Sequence, residues 1–565
     1  MQSSFDFDAI VVGSGVTGGW AAKELTEKGL KVLILERGKP LEHGKDYVTE
    51  HMEPWKIPFG GKPNRELYAR DYPIQSNCYA FDETTRHFWN NDRENPYVFD
   101  KEKPFYWLRA DVVGGKSLMW GRQVYRWSDL DFEANKKDGH GIDWPIRYND
   151  IKDWYSYVEK TIGVSGQAEN LSQLPDSEFQ PAMQMNSVEK VIKQRIEAAY
   201  KERKMTIGRV ANLTEPLGDR GACHYCGVCQ RGCSVGAYFS SHSCTLPAAR
   251  KTGNLSLRAN SVVEGLDYDP ASKRIAAVRV IDSVTKEKSR ITARMVFLCA
   301  STVGSVQILL NSKSESFPNG LANRSGTLGQ YMMDHTDNIS AIGITGEFPG
   351  KYYYGIRPNG IYLPRFRNLK GRDTDVDFER GYGFQGMAMP LEWKASAAQT
   401  PGFGVAFKNA LRQPKLWVMA LAGFGECLPY KDNRILLDDK LVDRYGIPQV
   451  RFEITYRDNE LRMQADATKQ AAEMLKAAKM GFVMPVGKGG PPGSAIHEMG
   501  GARMGLDPKQ SVLNAHNQAH DISNLFVTDG SCMASSSCVN PSLTFMALTA
   551  RAADYAVTQL RAGKV

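Results

Sequence analysis

Four cysteines lie within eleven residues, at Cys223, Cys226, Cys229 and Cys233, and their thiolates are suited to binding iron and inorganic sulfur. The spacing Cys-x2-Cys-x2-Cys-x3-Cys matches a bacterial ferredoxin cluster, and four nearby glycines allow the loop to turn tightly. Zinc is an alternative, because four-cysteine and three-cysteine-one-histidine sites are common and His224 is adjacent. Zinc sites usually use two separated cysteine pairs, so the spacing favours an iron–sulfur cluster over zinc or a disulfide.

A glycine motif near the N-terminus, Gly13-x-Gly15-x-x-Gly18, is suited to holding the pyrophosphate of a dinucleotide. An apolar strand is predicted at residues 7–12, and a helix and a second strand are predicted after the motif. Gly13 allows the tight turn, Gly15 lets the backbone approach the pyrophosphate, and Gly18 allows close packing of helix and strand. Glu36 ends the second strand, where an acid hydrogen-bonds a ribose hydroxyl. This order predicts a dinucleotide-binding fold without separating FAD from NAD.

The 565-residue chain has the composition of an ordinary globular protein, with 42% hydrophobic and 24% charged residues. Its net charge of +8 is spread along the sequence, so we expect a solvated surface and no binding of nucleic acid. The longest uncharged apolar run, residues 295–310, is too short and too interrupted for a membrane span. The predicted strand at residue 7 leaves no room for a signal peptide.

Five segments resemble, in order along the chain, the signatures of the glucose–methanol–choline (GMC) oxidoreductases. They are Arg109-Ala-Asp-Val-Val-Gly-Gly-Lys-Ser-Leu-Met-Trp-Gly121, the strand and helix of residues 295–310, Ile496-His497-x-x-Gly500, residues 524–530, and Ser537-Cys-Val-Asn540-Pro541-Ser-Leu-Thr544. Together with the glycine motif, the resemblance covers the chain from residue 7 to about 560. It implies an α/β fold (α+β overall), with a Rossmann-like FAD-binding domain interleaved with a substrate domain built on an antiparallel sheet.

The resemblance also implies domain boundaries. Residues 1–320 are expected to form the first part of the FAD-binding domain, with the cysteine loop at about 214–245 and substrate-domain or cap segments at about 45–100 and 130–205. Residues 321–485 would form the substrate-binding domain, with strand-like pieces at 360–366 and 450–455. Residues 486–565 would complete the FAD-binding domain and carry the catalytic residues, while residues 254–263 would pass beneath the adenine.

Matching the family motifs residue by residue implies which side chains and backbone groups contact FAD. They are Gly13, Gly15, Val16, Thr17, Gly18, Glu36, Arg37, Arg109, Gly114, Gly115, Ser117, Met119, Trp120, Gly121, Val262, Ala300, Ser301, Asp529, Gly530, Asn540, Pro541 and Ser542. Some sugar-oxidising relatives tether FAD through a histidine at the position of Met119. A thioether does not form that link, so FAD is expected to be noncovalent.

The family oxidises an alcohol by removing the hydroxyl proton and passing a hydride to the flavin. His497 matches the catalytic base and Asn540 matches the second polar partner of the developing alkoxide. His335 is a further candidate to line the substrate side, whereas His516 and His520 lie in a polar stretch and are expected in a surface loop.

A bacterial branch of the family carries cysteines at this point, and it includes FAD-dependent glucose, fructose and gluconate dehydrogenases and glucoside 3-dehydrogenases. In the sugar dehydrogenases three cysteines hold a [3Fe–4S] cluster, and they match Cys223, Cys229 and Cys233. Cys226 departs from this pattern. It either supplies a fourth ligand, giving a [4Fe–4S] cluster, or stands free.

A cluster beside a flavin predicts a dehydrogenase that exports electrons to a cytochrome or another acceptor, usually with a small partner subunit. The expected reaction is oxidation of a secondary hydroxyl of a sugar or glycoside, with C3 of a pyranoside favoured. An aldose dehydrogenase acting at C1 or a gluconate dehydrogenase acting at C2 is the alternative. A non-redox lyase of this family is a more distant alternative, because a lyase has no electrons to export through a cluster. The presence of both His497 and Asn540 argues against an inactive scaffold protein.

Two further expectations concern the substrate and the compartment. Residues 352–354 are consecutive tyrosines and, with the more distant Trp393, offer aromatic faces for a sugar ring. In this branch the small subunit often carries a twin-arginine signal and would export the folded catalytic chain. The periplasm is therefore expected, with the cytoplasm as the alternative.

Overall fold

The computed structural model describes residues 5–351, 355–369, 374–391, 401–412, 416–487 and 489–565. Its helices are α1 (Val16–Glu27), α2 (Arg65–Asp71), α3 (Asp129–Phe132), α4 (Ala134–Asp138), α5 (Tyr148–Ile162), α6 (Ser187–Ala199), α7 (Leu246–Lys251), α8 (Thr302–Asn311), α9 (Gly404–Arg412), α10 (Asp458–Ala477) and α11 (Ser542–Arg561). Within these ranges, no helix is both long enough and apolar enough to cross a membrane.

Seventeen strands lie in the described part of the chain. They are β1 (Phe7–Val12), β2 (Val32–Leu35), β3 (Val98–Phe99), β4 (Thr206–Ile207), β5 (Leu255–Arg258), β6 (Ser261–Asp269), β7 (Arg274–Asp282), β8 (Lys288–Ile291), β9 (Ala293–Leu298), β10 (Thr336–Thr345), β11 (Ile361–Leu363), β12 (Tyr382–Pro390), β13 (Trp417–Gly425), β14 (Arg434–Val442), β15 (Pro448–Glu453), β16 (Phe482–Pro485) and β17 (Leu525–Val527).

A five-stranded parallel sheet in the order β17-β9-β1-β2-β5 forms the centre of the dinucleotide-binding half. The inner strands are buried on both faces, which explains their continuous apolar sequences. Helix α1 packs beside α11 on one face, where Ala21 and Leu25 share a core with Ala552 and Ala556. The N-terminal motif is therefore completed by strand β9 and by β17 and α11, of which the last two lie more than about 500 residues later in the chain.

A six-stranded antiparallel sheet in the order β16-β10-β13-β12-β11-β4 forms the second half. One of its faces packs on α10 and α6 through a core that includes Met419, Leu421, Met463 and Ile192. Two smaller sheets, β14-β15-β3 and β6-β7-β8, lie beside these halves.

The predicted α/β class, with a Rossmann-like parallel sheet interleaved with an antiparallel substrate sheet, is confirmed. The strand-like pieces predicted at 360–366 and 450–455 correspond to β11 and β15. Helix α1 begins at Val16, so its first turn directly follows Gly15. Helix α5 lies in the predicted cap segment 130–205, but its Tyr157 ring packs on Trp20 of α1.

Candidate active site

The sequence-predicted residues converge on one cavity of about 1170 Å³ between the two halves. Its walls include His497, Asn540 and every predicted cofactor residue except Gly18, Gly114 and Pro541. Gly114 instead packs on the His242 ring, where an added Cβ would lie 2.5 Å from the ring carbon. The cavity also has wall residues that the sequence did not indicate, among them Gln123, Asp337 and Gln385.

The three glycines of the N-terminal motif have different surroundings. Gly13 has a φ of +96°, and a Cβ on it would lie 2.4 Å from the carbonyl oxygen of Cys299. A Cβ on Gly18 would lie 2.0 Å from the carbonyl oxygen of Gly13, so this glycine is required for helix and strand to pack. A Cβ on Gly15 meets no heavy atom within 4 Å and would stand in the cavity. This backbone edge is therefore open to a pyrophosphate, as the motif predicts.

Glu36 lies at the end of β2 and faces the glycine turn. One carboxylate oxygen accepts hydrogen bonds from the Ser14 amide at 2.9 Å and the Ser14 hydroxyl at 2.5 Å, and the other accepts from the Gly38 amide at 2.7 Å. Burial raises the pKa of Glu36. Each oxygen has more than one acceptor direction, so the predicted bond from a ribose hydroxyl remains compatible with these contacts.

Two guanidinium groups lie on the same wall of the cavity. Arg109 donates to the Asn95 carbonyl oxygen at 2.6 Å, Arg37 donates to the Asn95 side chain, and the Arg109 guanidinium stacks on Trp107 at 4.0 Å. Burial and the nearby Arg37 lower the pKa of Arg109 to about 10. The Nε of Arg109 and the Nδ2 of Asn90 are buried donors without a partner among the described residues. Unsatisfied donors on a cavity wall suit an acceptor-rich ligand, so these residues fit the phosphates and heterocycles of FAD.

His497 and Asn540 meet at the other end of the cavity. The Nε2 of His497 lies 3.3 Å from the Nδ2 of Asn540, and the Oδ1 of Asn540 accepts a hydrogen bond from Gln385 at 2.8 Å. Because Oδ1 is occupied, the Asn540 amide group presents its N–H to His497. The Nε2 of His497 then accepts, which leaves its second nitrogen, Nδ1, to carry the proton.

His335 lies behind His497 rather than on the cavity wall. Its Nδ1 is 3.0 Å from the Nδ1 of His497, and its side chain is fully buried. In the tautomer that Asn540 selects, His497 donates this bond and His335 accepts it. His335 therefore contacts the catalytic candidate from behind, where it can orient the ring.

The backbone around His497 is held by Asp334. One oxygen of this carboxylate accepts from the amides of Gly493 at 2.8 Å and Ala495 at 3.3 Å, and the other accepts from the amide of His497 at 3.1 Å. The residue between them, Ile496, has a φ of +65°, which is strained for a β-branched side chain. Such strain persists only where surrounding contacts impose it, and Asp334 supplies these contacts.

The electrostatic environment keeps His497 neutral. Burial, the His335 ring and the Lys116 ammonium together hold the pKa of His497 well below its ordinary value. Lys116 is itself paired with Glu498 at 3.2 Å. A neutral imidazole at physiological pH is the form that accepts a proton.

The four cysteines lie in a loop beside the cavity. Cys223, Cys229 and Cys233 are half-buried and Cys226 is exposed. Burial raises the pKa of Cys223 to about 11, and the other three thiols contribute to the rise. In the part of the chain that the structure describes, no group of three or more His, Cys, Asp or Glu side chains converges at metal-binding separation. The donor set of four soft thiols suits iron and sulfur, and Gln230 of the same loop lines the cavity.

The remaining residues considered in the sequence analysis lie away from the cavity or outside the described residues. His516 and His520 are half-buried, with His516 stacked on Tyr555 at 3.9 Å and His520 bonded to the Ser511 hydroxyl at 3.0 Å. Both residues lie in the turns of a loop, as expected, and their side chains pack against neighbouring residues. Residues 352–354 and Trp393, the predicted sugar-stacking aromatics, lie outside the described residues.

Comparisons with known proteins agree with this geometry. Residues 7–337 and 429–549 match two family models, each described as GMC oxidoreductase. The chain is 27% identical to 2-methyl-1,2-propanediol dehydrogenase of Mycolicibacterium austroafricanum over 97% of this chain and 94% of that protein. It is 26% identical to the fructose dehydrogenase large subunit of Gluconobacter japonicus over 98% of both. The fold is also similar to the crystal structure of pyridoxine 4-oxidase from Mesorbium loti, with a TM-score of 0.58, 14% identity and coverage of 97% and 98%.

Proposed function

Because the chain belongs to the GMC oxidoreductase family of FAD-dependent enzymes that act on CH–OH groups, we propose that it is a sugar or glycoside dehydrogenase. It would oxidise a secondary hydroxyl, with C3 of a pyranoside favoured, giving a 3-keto-glycoside. The observation that carries this proposal is the pair of His497 Nε2 and Asn540 Nδ2, 3.3 Å apart on the wall that the glycine motif also lines.

The chemistry of the protein part is proton removal and charge stabilisation. The Nε2 of His497 takes the proton of the substrate hydroxyl, and the N–H of Asn540 donates to the oxygen that becomes negative. When Nε2 is protonated, the Nδ1 proton of His497 remains bonded to the neutral His335 ring. Asp334 fixes the backbone that carries this ring. FAD, held noncovalently by the glycine turn, Arg37 and Arg109, supplies the hydride acceptor when bound.

We further propose that Cys223, Cys229 and Cys233 bind an iron–sulfur cluster, with Cys226 either a fourth ligand or free. The spacing of the thiols and the position of Gln230 on the cavity wall support this assignment, because they put the loop beside the flavin site. A cluster supplies single-electron transfer, which suits a cytochrome acceptor. The relative named as a large subunit supports a multi-subunit assembly, and we propose a small subunit that exports this chain to the periplasm.

An anaerobic titration tests the proposal. Methyl β-glucoside is added to the FAD-loaded enzyme while the flavin absorbance is recorded, and the methyl group blocks C1. Bleaching, followed by identification of a 3-keto product, is the expected result. Bleaching by free glucose or gluconate alone would move the assignment to an aldose dehydrogenase acting at C1 or a gluconate dehydrogenase acting at C2. No bleaching with any alcohol, but conversion of substrate, would indicate a lyase.

The cluster needs its own measurement. Iron and acid-labile sulfide are determined in protein purified without oxygen, beside the same protein with Cys229→Ser. Iron and sulfide are expected in the unaltered protein, in about a 3:4 ratio if Cys226 is free and in about equal amounts if Cys226 is a fourth ligand, and both should be lost in the variant. Zinc in place of iron would contradict the assignment.

A further inference from the structure

The two faces of the six-stranded sheet have different surroundings. Along β13, Met419 and Leu421 point to the face that packs on α10, in one core with Met463. Since side chains alternate along a strand, Val418, Ala420, Ala422 and Phe424 point to the other face. That face borders the cavity, because Ala420, Ala422 and Phe424 line it.

Strand register arranges the cavity face in rows. The row nearest His497 contains Asp337 and Phe424, which are paired across β10 and β13, and the next contains Gln385 and Ala422. Two outer rows follow, and their members are apolar: Met387, Ala420, Ile342 and Met484 in the first, and Met389, Val418, Ile344 and Phe482 in the second. The wall is thus polar at the catalytic end and apolar toward the outside.

The outer rows are unusually accessible for large apolar side chains. Phe482 is 58% exposed, and Met389 and Met484 are each 44% exposed. Met387 and Met389 line the same cavity as His497, so the apolar rows are continuous with the catalytic pocket. A contiguous exposed apolar surface of this kind marks a binding site.

We propose that these two rows bind the apolar part of an amphipathic substrate whose alcohol is oxidised at His497. For a glycoside, the sugar would face Asp337 and Gln385, and the aglycone would lie along Met387 and Met389 toward Phe482. The proposal rests on the proposed function, since it names the class of glycoside. Flexible methionines suit this role because they adapt to aglycones of different shape.

A homologous series of alkyl glucosides tests this subsite. The second-order rate constant of flavin reduction is measured with methyl, butyl, hexyl and octyl β-glucoside, each below its micelle concentration. Complete burial of a methylene is worth about fourfold in an equilibrium constant, and contact on one side gives about twofold per methylene. The expected rate constant therefore rises about twofold per methylene in the unaltered enzyme and is nearly flat in Met389→Ser and Phe482→Ser.

Leu506→Ser is the matched control, because Leu506 is 75% exposed and lies outside the sheet. It should keep the full dependence on chain length. The subsite would be overturned if the rate constant of the unaltered enzyme did not depend on chain length. It would also be overturned if both sheet variants kept the full dependence, and the exposed rows would then be better explained as a contact surface for a partner protein. The shift of the flavin spectrum on binding is recorded as well. Binding that tightens with chain length without any bleaching would refute the proposed oxidation while supporting the subsite.

A separate chain of hydrogen bonds ends at Asn540. The Tyr125 hydroxyl donates to the Oε1 of Gln123, and the Nε2 of Gln123 donates to the Oε1 of Gln385 at 2.7 Å. The Nε2 of Gln385 donates to the Oδ1 of Asn540 at 2.8 Å. Each amide in the chain thus accepts from the side of Tyr125 and donates toward His497.

This directionality decides which end of the Asn540 amide faces His497. The phenol of Tyr125 is fully buried and stacked on Tyr362 at 4.3 Å, and burial raises its pKa, so it keeps the proton that it donates to the Oε1 of Gln123. If the chain ran the other way, the Oδ1 of Asn540 would face His497 and demand a proton on Nε2. The lone pair of His497 would then lie on Nδ1, facing His335, and Nε2 could not accept the proton of the substrate hydroxyl.

We infer that Tyr125, Gln123 and Gln385 are positioning residues that hold the N–H of Asn540 toward His497 and the substrate oxygen. An isosteric reversal tests this. In Gln123→Glu the carboxylate only accepts, so Gln385 must donate to it and turn its own oxygen to Asn540. Asn540 then presents Oδ1 to His497. In Gln123→Met the side chain neither donates nor accepts at this position, so it does not fix the direction of the hydrogen bonds between Gln385 and Asn540. This variant is therefore the control.

We expect Gln123→Glu to slow flavin reduction about 100-fold with little change in KM, the loss typical of one oxyanion donor. Gln123→Met should lose no more than about fivefold, because the amides can still adopt the productive order. Gln385→Glu imposes the same reversal at Asn540 and should show the same loss of rate, while its KM also changes because Gln385 faces the sugar. The flavin spectrum and the melting temperature show whether each variant is folded. Equal rates in the Glu and Met variants would overturn the inference.

Discussion

Two carboxyl groups near His497 have similar pKa values but differ in their hydrogen bonding. Burial raises the pKa of Asp334 and of Asp337 to about 7. Asp334 accepts three backbone hydrogen bonds. The Asp337 side chain has no hydrogen bond or ion pair among the described residues and lies on the cavity wall. The same substitution, Asp to Asn, is therefore predicted to stabilise the protein at one position and destabilise it at the other.

The magnitude for Asp337 follows from proton linkage. A rise in pKa from 3.8 to about 7 corresponds to about 4 kcal/mol of unfavourable free energy when the group is fully ionised. Because the folded-state pKa is raised, the cost is absent below pH 3.8, grows up to about pH 7 and is constant above it. Asp337→Asn removes it, and the gain at pH 5.5 should be about half the gain at pH 8.

The opposite sign is expected for Asp334→Asn. Both oxygens of the Asp334 carboxylate accept backbone N–H groups, whereas an asparagine has only one oxygen. The NH₂ group of the asparagine would therefore face a backbone N–H, and two donors would lie against each other. A buried donor without an acceptor costs about 2 kcal/mol. The loop that carries His497 would shift, and turnover should fall together with stability.

Thermal unfolding of the FAD-loaded proteins at pH 5.5 and pH 8 measures both effects. For a chain of this length, about 4 kcal/mol corresponds to about 3 °C in the melting temperature, and about 2 kcal/mol to about 2 °C. We expect Asp337→Asn to melt about 3 °C higher at pH 8. We also expect it to raise KM about tenfold, because a charged hydrogen bond to a substrate hydroxyl is lost. A lower melting temperature for this variant at pH 8, or the same gain at both pH values, would refute the reasoning.

Three further predictions concern the cofactor sites and the base. His497→Ala should retain bound FAD but slow anaerobic flavin reduction by at least about 100-fold; a normal rate would exclude His497 as the base. Cys229→Ser should keep flavin reduction by substrate and lose reduction of cytochrome c, and unchanged delivery would make the cysteine loop structural. Gly15→Ala should fold normally and bind FAD more weakly, because its Cβ enters the open cavity. Gly18→Ala should instead lose about 1–3 kcal/mol of stability, because its Cβ meets the Gly13 carbonyl. Titration with FAD and thermal unfolding of the two glycine variants separate these outcomes.

Local sequence was sufficient for the nucleotide half of the site. The strand, glycine turn and terminal acid are contiguous, so Gly13, Gly15 and Glu36 were found from spacing alone, and they lie where the motif requires. The family motifs likewise brought His497 and Asn540 to one cavity, although their spacing of 43 residues carries no geometry by itself.

The remaining parts of the site depend on tertiary register. Gln123 and Gln385 are 262 residues apart and meet only because β12 and the loop after Trp120 are brought together. Nothing in their neighbours marks them, since each reads as an ordinary polar residue in an extended segment. The placement of His335 behind His497 had the same cause, because the turn before β10 decides which way the ring points. The half-burial of His516 also came from a distant residue, Tyr555.

The order of the parallel sheet has a consequence for biosynthesis. Strand β1 is synthesised first, yet its neighbour β9 is made about 280 residues later and the edge strand β17 about 510 residues later. A growing chain therefore carries the dinucleotide motif on an incomplete sheet with open edges for most of translation, which is a state prone to aggregation. Insertion of FAD must wait until the ribosome has released almost the whole polypeptide. Export to another compartment would thus require a pathway that transports folded, cofactor-loaded protein rather than an unfolded polypeptide.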